Sequence, residues 1–144
     1  MQFFSLTLTA LISLLISSSR GVILSHDKAY DAASASLDTV ACSDGTNGLE
    51  TRGYKTFGSI PNFPNIGGAS TISGWNSPKC GACYNLTFVG ANKQNRSVAI
   101  TAVDRTGLGF NIAQSAFEKL VGSADVGKAE VDVQEVDRSF CGFK

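Results

Sequence analysis

A chain of 144 residues with 12 basic and 12 acidic side chains has no formal net charge, and neither sign gathers into a run. That balance removes the electrostatic basis for binding nucleic acid or an anionic membrane surface. Only the N-terminal stretch is markedly apolar, and it is too short and too interrupted by Ser and Thr to span a bilayer, which takes about 20 apolar residues.

That stretch, MQFFSLTLTALISLLISSSRGV, runs from an apolar core (Leu11, Ile12, Leu14, Leu15, Ile16) into Ser17, Ser18 and Ser19. This is the order of a secretory signal peptide, although no Lys or Arg precedes the apolar core. Residues 1–21 are expected to be a leader cut near Gly21. Residues 22–144 are expected to be one secreted domain, long enough to bury a single core.

An oxidising destination decides how the cysteines are read. Cys42, Cys80, Cys83 and Cys141 are even in number, as a disulfide framework requires. Only Cys80 and Cys83 lie close together, whereas a four-thiolate zinc site normally uses two close pairs. Four cysteines allow three pairings. Cys42 with Cys80 and Cys83 with Cys141 is favoured, because it ties one short segment to both ends of the domain.

In chain order, "CSDGTNG" from Cys42 reads as a turn, and the stretch Gly45–Pro78 is rich in Gly, Pro, Asn and Ser. Trp75, Asn76 and Tyr84 flank the Cys80–Cys83 pair. Aromatic faces and amides suit a sugar ligand, which stacks on the former and hydrogen-bonds to the latter. Trp75 in so small a domain is nonetheless more readily a core residue than a platform.

Tyr84, Leu86 and Phe88 alternate with Asn85 and Thr87, the period of a half-buried strand, so the sequon at Asn85 should point outward. A polar turn over Gly90–Arg96 holds a second sequon at Asn95. Val98, Ile100 and Ala102 then alternate again, giving a hairpin. Ile112, Ala116, Phe117, Leu120 and Val121 keep helical spacing, with Asn111 and Gln114 at the positions of a capping box and Gly122 as the stop. Lys128–Asp137 reads as a third strand whose phase slips at Glu135 and Val136, as at a bulge or an exit. Short strands with many Gly and Pro turns indicate a small β-barrel or sandwich carrying one or two helices.

Asp104 continues the parity of Val98, Ile100 and Ala102, so a persistent strand would place its carboxylate on the inward face at the strand's end. A charge there must be hydrogen-bonded or open onto solvent. The bland alternative is that Asp104 begins a turn with Arg105, Thr106 and Gly107. Glycoside hydrolysis usually needs a second carboxylate beside the first, and neither Asp44 nor Glu118 is nominated by spacing. His26 has no nucleophile arranged around it, and no metal cluster or phosphate loop is present. No catalytic residue, cofactor or metal is expected.

The blocks "LDTVACSDGTNGL", "PNIGG", "ISGWNSPKCGACYNLTF", "ITAVD" and "GFNIAQSAF" follow in that order across nearly the whole of residues 22–144. In them the chain resembles the cerato-platanin family of small secreted fungal proteins. The resemblance implies a mainly β fold, a six-stranded double-ψ β-barrel like the first domain of expansins, with the two disulfides paired as favoured above. It implies an extracellular or wall-associated, non-catalytic protein that binds chitin oligosaccharides or another wall polysaccharide. It further implies expansin-like wall loosening, elicitation of plant defence through a surface receptor, and self-assembly of a monomer at interfaces. The family's functional aspartate ends an A-I-D triplet, which maps onto Ala102, Val103 and Asp104. The family's S-Y-D is here Ser25, His26 and Asp27, so a tyrosine is missing that would have contributed to the binding surface. The residues expected to meet a glycan are Asp104, Asn111, Tyr84, Asn76 and Trp75. A weak polysaccharide-cleaving enzyme using Asp104 and a surface-active coat protein are the alternatives.

Overall fold

The computed structural model describes Ser18–Lys144; of the expected leader, residues 1–21, those up to Ser17 lie outside the described residues and Ser18–Gly21 fall in the first strand. Six strands are formed: β1 (Ser18–Asp27), β2 (Ile66–Ala69), β3 (Cys83–Val89), β4 (Asn95–Arg105), β5 (Phe110–Ala113) and β6 (Lys128–Val136). Among the described residues a single α-helix, α1 (Gln114–Val121), follows β5 directly. The strands close into a barrel in the order β1-β5-β2-β4-β3-β6. Two neighbouring pairs, β1–β5 and β2–β4, are parallel, and the other four are antiparallel.

Alternation of β-branched and polar residues builds the β3–β4 hairpin, paired from Cys83 with Thr101 out to Val89 with Asn95. Its turn is shorter than the sequence indicates. Gly90 N–H donates to Gln94 O at 3.0 Å and Lys93 adopts φ +59°, so pairing resumes at Asn95. Leu24, Leu86, Ile100 and Ile112, from four different strands, are fully buried. Each such side chain contributes about 2 kcal/mol of burial. Phe117 and Leu120 seal the core from α1, a helix of only 8 residues that depends on this docking.

Two local expectations are corrected. Asn111 does not cap α1; it lies inside β5, paired with Ser25 on one side and Gly68 on the other. The first turn of α1 is instead held from outside, where Asp31 accepts hydrogen bonds from the Ser115 N–H and hydroxyl. Gly122 does terminate the helix, at φ +110°. Of the two readings at Glu135 and Val136, a bulge is absent, since both stay in register with Tyr84 and Cys83, and the exit is what is found, β6 ending at Val136. Glu135 keeps the parity of Val131 and Val133 but stands at the barrel's rim, where Lys79 pairs with it at 2.8 Å. A charged residue at a half-open position had mimicked a change of phase.

The bridges are Cys42–Cys80 and Cys83–Cys141, with Cα separations of 5.3 and 5.8 Å. They close loops of 38 and 58 residues, each stabilising by about 4 kcal/mol in the chain-entropy account. The short segment between Cys80 and Cys83 is thereby pinned from both sides. Gly67 permits a close crossing of β2 and β5 in the barrel wall. A Cβ there would lie 2.4 Å from Asn111 O and 2.6 Å from Ile112 Cα.

Candidate functional site

The last turns of β4 do not alternate simply, because Thr101 and Val103 are as fully buried as Ile100 and Ala102. One side faces the core, and the other is covered by the segment around Cys42, whose N–H donates to Val103 O at 3.1 Å. Parity alone therefore could not orient Asp104. The register between β2 and β4 also shifts here, with Gly67 opposite Ala102 but Gly68 opposite Asp104.

The Asp104 carboxylate is half-buried and held by three donors. Oδ1 accepts the N–H of Ala41 at 3.0 Å and of Arg105 at 2.8 Å, and Oδ2 accepts the Tyr30 hydroxyl at 2.9 Å. Burial first, then the Asp104 charge and its hydrogen bond, push the Tyr30 phenol well above its ordinary pKa. A carboxylate has about four acceptor positions, so Asp104 keeps one, on Oδ2.

Pairing across the barrel wall places Asp104 beside Gly68, Gly68 beside Asn111, and Asn111 beside Ser25. Residues directly opposite on neighbouring strands share a face, so the four form one row. Asp104 and Asn111 stand two strand spacings apart, roughly 10 Å. Gly68 puts no side chain between them, and Arg105 O and Thr106 Cβ form a wall 3.3 Å from where its Cβ would stand. The Ser25 hydroxyl donates to Asn111 Oδ1 at 3.0 Å, which leaves the Asn111 amide N–H₂ as a donor. The row thus presents an acceptor at one end and a donor at the other.

His26 alternates to the opposite side of β1 from Ser25. Its ring packs on Phe117 at 4.7 Å and its Nε2 meets Ala124 O at 3.0 Å. The tyrosine missing from the S-Y-D motif is therefore missing from the helix side, not from this row.

The two aromatic candidates exchange roles. Trp75, kept among the glycan contacts although more readily a core residue, is 63 % exposed, while Tyr84, expected to offer a ring face, is 3 % exposed. Trp75 Nε1 donates to Asp44 Oδ1 at 2.6 Å, fixing the indole over the Asp44–Asn47 turn. Gly45 makes room for it; a Cβ there would lie 3.0 Å from Trp75 Cζ2. Asn76, at φ +59°, is structural in the same turn, accepting the Asn47 N–H at 2.8 Å through Oδ1. Tyr84 packs edge-on against Phe110, and its hydroxyl bonds Thr71 Oγ1 at 2.6 Å, in the wall of a cavity of ≈ 210 Å³ that Glu135 also lines. Burial raises the Tyr84 pKa.

Of the two sequon asparagines, Asn95 is exposed at the start of β4 and Asn85 is half-buried in mid-β3, paired with Ala99 and Gln134. Tyr30 and Gly68 were not singled out from the sequence. The glycine's signal was its place in "PNIGG", but Tyr30 stands in a polar stretch with nothing to mark it. Among the described residues no group of three or more His, Cys, Asp or Glu side chains gathers to hold a metal ion, and no helix is long and apolar enough to cross a membrane.

Comparison with known proteins agrees with this architecture. The family profile described as Cerato-platanin matches residues 22–143. The chain is 43 % identical over 128 residues to cerato-platanin of Ceratocystis fimbriata f. sp. platani, covering 88 % of this chain and 91 % of that one. It is 43 % identical over 123 residues to a heat-stable 19 kDa antigen of Coccidioides immitis, covering 84 % and 81 %. Among solved structures, cerato-platanin 1 from M. perniciosa superposes with a TM-score of 0.81 at 48 % identity, covering 83 % of this chain and 98 % of that one. The solution structure titled as that of the fungal elicitor cerato-platanin gives 0.74 at 44 % identity, covering 83 % and 96 %. With barrel, bridges and sequence blocks in agreement from Val22 to Phe143, the chain belongs to the cerato-platanin family.

Proposed function

We propose that this is a secreted, non-catalytic glycan-binding protein whose site is the row from Asp104 through Gly68 to Asn111. The observation that carries the reading is the pairing of one free acceptor on Asp104 with one free donor on Asn111 across a glycine. An N-acetylglucosamine unit offers the complementary set, hydroxyl donors and an acetamide carbonyl acceptor, so chitin oligomers are the substrate class favoured. Trp75 supplies a separate stacking face outside the row. Wall loosening without hydrolysis follows if such binding competes with contacts between polysaccharide chains. The defence-eliciting role belongs to the same proposal, because a plant receptor would read the partly exposed Asp104 and Asn111 together with the exposed Trp75. Of the two sequons, the exposed Asn95 is the glycan acceptor favoured.

A glycosidase reading is less well supported. Asp104 is anchored by two backbone amides and a phenol, and none of its hydrogen bonds joins it to a second carboxyl group.

The test is a titration of the oxidised protein with chitin tetramer by NMR, with a reducing-end assay in the same tube. Saturable shifts at Gly68 and Asn111, weakened about tenfold or more in Asn111→Ala, with no new reducing ends, are expected. Release of reducing ends would overturn the non-catalytic reading, and unaltered binding by the variant would remove Asn111 from the site.

A further inference from the structure

Two guanidinium groups converge over Gly81, whose own N–H donates to Ala102 O at 2.8 Å, two residues before Asp104. A Cβ placed on Gly81 would lie 2.7 Å from Arg52 Nη1 and 3.8 Å from Arg138 Nη1. Each arginine is fixed by its other nitrogen. Arg52 Nη2 donates to Asn47 O at 3.3 Å and Arg138 Nη2 to Cys80 O at 3.1 Å. The platform beneath them is rigid, because Gly81 lies between two bridged cysteines, Cys80 and Cys83.

Like charges so placed repel unless an anion sits between them. Among the described residues no carboxylate pairs with either arginine; the nearby acid Glu135 is engaged by Lys79. Partial burial and the charge of Arg138 both lower the pKa of Arg52, the direction expected of a cation lacking a counter-ion. Each arginine keeps Nη1 available, and an oxyanion taking one N–H from each at about 2.8 Å would satisfy both.

We propose that Arg52 and Arg138 form a carboxylate site for acidic polysaccharide, with a uronate unit as its occupant. The polysaccharide is argued from the neighbourhood. Arg52 holds Asn47, Asn47 is clasped by Asn76, and the residue before Asn76 is the exposed Trp75, so an aromatic ring face belongs to the same loop cluster. The inference leans on the glycan-binding reading for its ligand class but uses different residues.

The experiment follows the Gly81 amide and the arginine Nε–Hε signals of the oxidised protein in a titration with trigalacturonate. Sodium sulfate at equal ionic strength and chitin tetramer are run in parallel. Saturable shifts at Gly81 and both arginines with trigalacturonate, reduced at least tenfold in affinity by Arg52→Gln, are expected. No shift, an unchanged affinity in that variant, or a sulfate response equal to that of trigalacturonate would overturn the proposal. Chitin tetramer reports separately at Gly68 and Asn111, so failure of one reading is distinguishable from failure of the other.

Discussion

The hydroxyl of Tyr30 donates to Asp104 Oδ2 at 2.9 Å, joining the turn after β1 to the end of β4 across 74 positions of the chain. Asp104 is consequently both a structural anchor and the acceptor of the proposed row, and its removal has two effects to be separated. Asp104→Ala leaves the buried Tyr30 hydroxyl and the Ala41 amide without their partner. We expect a loss of about 1–3 kcal/mol in urea unfolding, with Asp104→Asn losing less because its amide oxygen still accepts. Equal stability of Asp104→Ala and the parent would show that the anchor is dispensable.

The same contact predicts a pH dependence. The Tyr30 pKa is raised in the folded state by burial and by Asp104, so the folded protein holds its proton more tightly than the unfolded chain does. That contribution is fully present below the unfolded value of about 10 and is lost as pH rises through the folded value. Stability should fall above about pH 10 with a slope of up to about 1.4 kcal/mol per pH unit for this group. Tyr84 adds in the same direction. Tyr30→Phe should flatten the alkaline limb, and tyrosinate absorbance followed with pH would show whether ionisation coincides with unfolding.

Trp75 is the chain's single tryptophan, so its exposure has an optical signature. The folded protein should emit like an indole in water, be quenched efficiently by acrylamide, and change little in wavelength on unfolding. Trp75→Ala removes one exposed hydrogen bond and should cost about 1 kcal/mol or less. A blue-shifted, poorly quenched emission would place the ring in the core instead.

Two glycines separate crowding from backbone strain. A Cβ at Gly67 meets the β5 backbone at 2.4 Å, whereas at Gly53 nothing lies within 4 Å although φ is +98°. Gly53→Ala should cost about 1–2 kcal/mol, the penalty of a left-handed conformation. Gly67→Ala should cost more than about 3 kcal/mol or prevent folding, because backbone cannot yield to a methyl group. Comparable midpoints for the two in denaturant would contradict this crossing.

The hairpin from Tyr84 to Ile100 and the strand from Lys128 to Gln134 were legible because apolar and polar residues alternate over those spans. β5 was not, since "FNIA" is short and runs straight into a helix whose period absorbed it. β1 was hidden by a polar half, Ser18 to Gly21, ahead of its apolar half. Of the site, Asp104 stood out as a charge at a strand end, but its partners come from residues 30 and 41, a non-local contact that no local pattern encodes. For Trp75, size and aromaticity argue for burial, while its exposed position is set by one hydrogen bond to Asp44 and the space that Gly45 leaves.

Because β1 and β6 complete the ring, the described chain has no edge strand with unpaired amides. Proteins that stack into amyloid-like sheets recruit new copies through such edges. A film or fibre of this protein would have to form through side chains, Leu108 and Phe140 being the large apolar ones left most exposed, or by parting the barrel at a seam. Amide exchange distinguishes these routes. Assembly through side chains would leave the barrel amides protected, and a parted seam would expose those of two adjacent strands together.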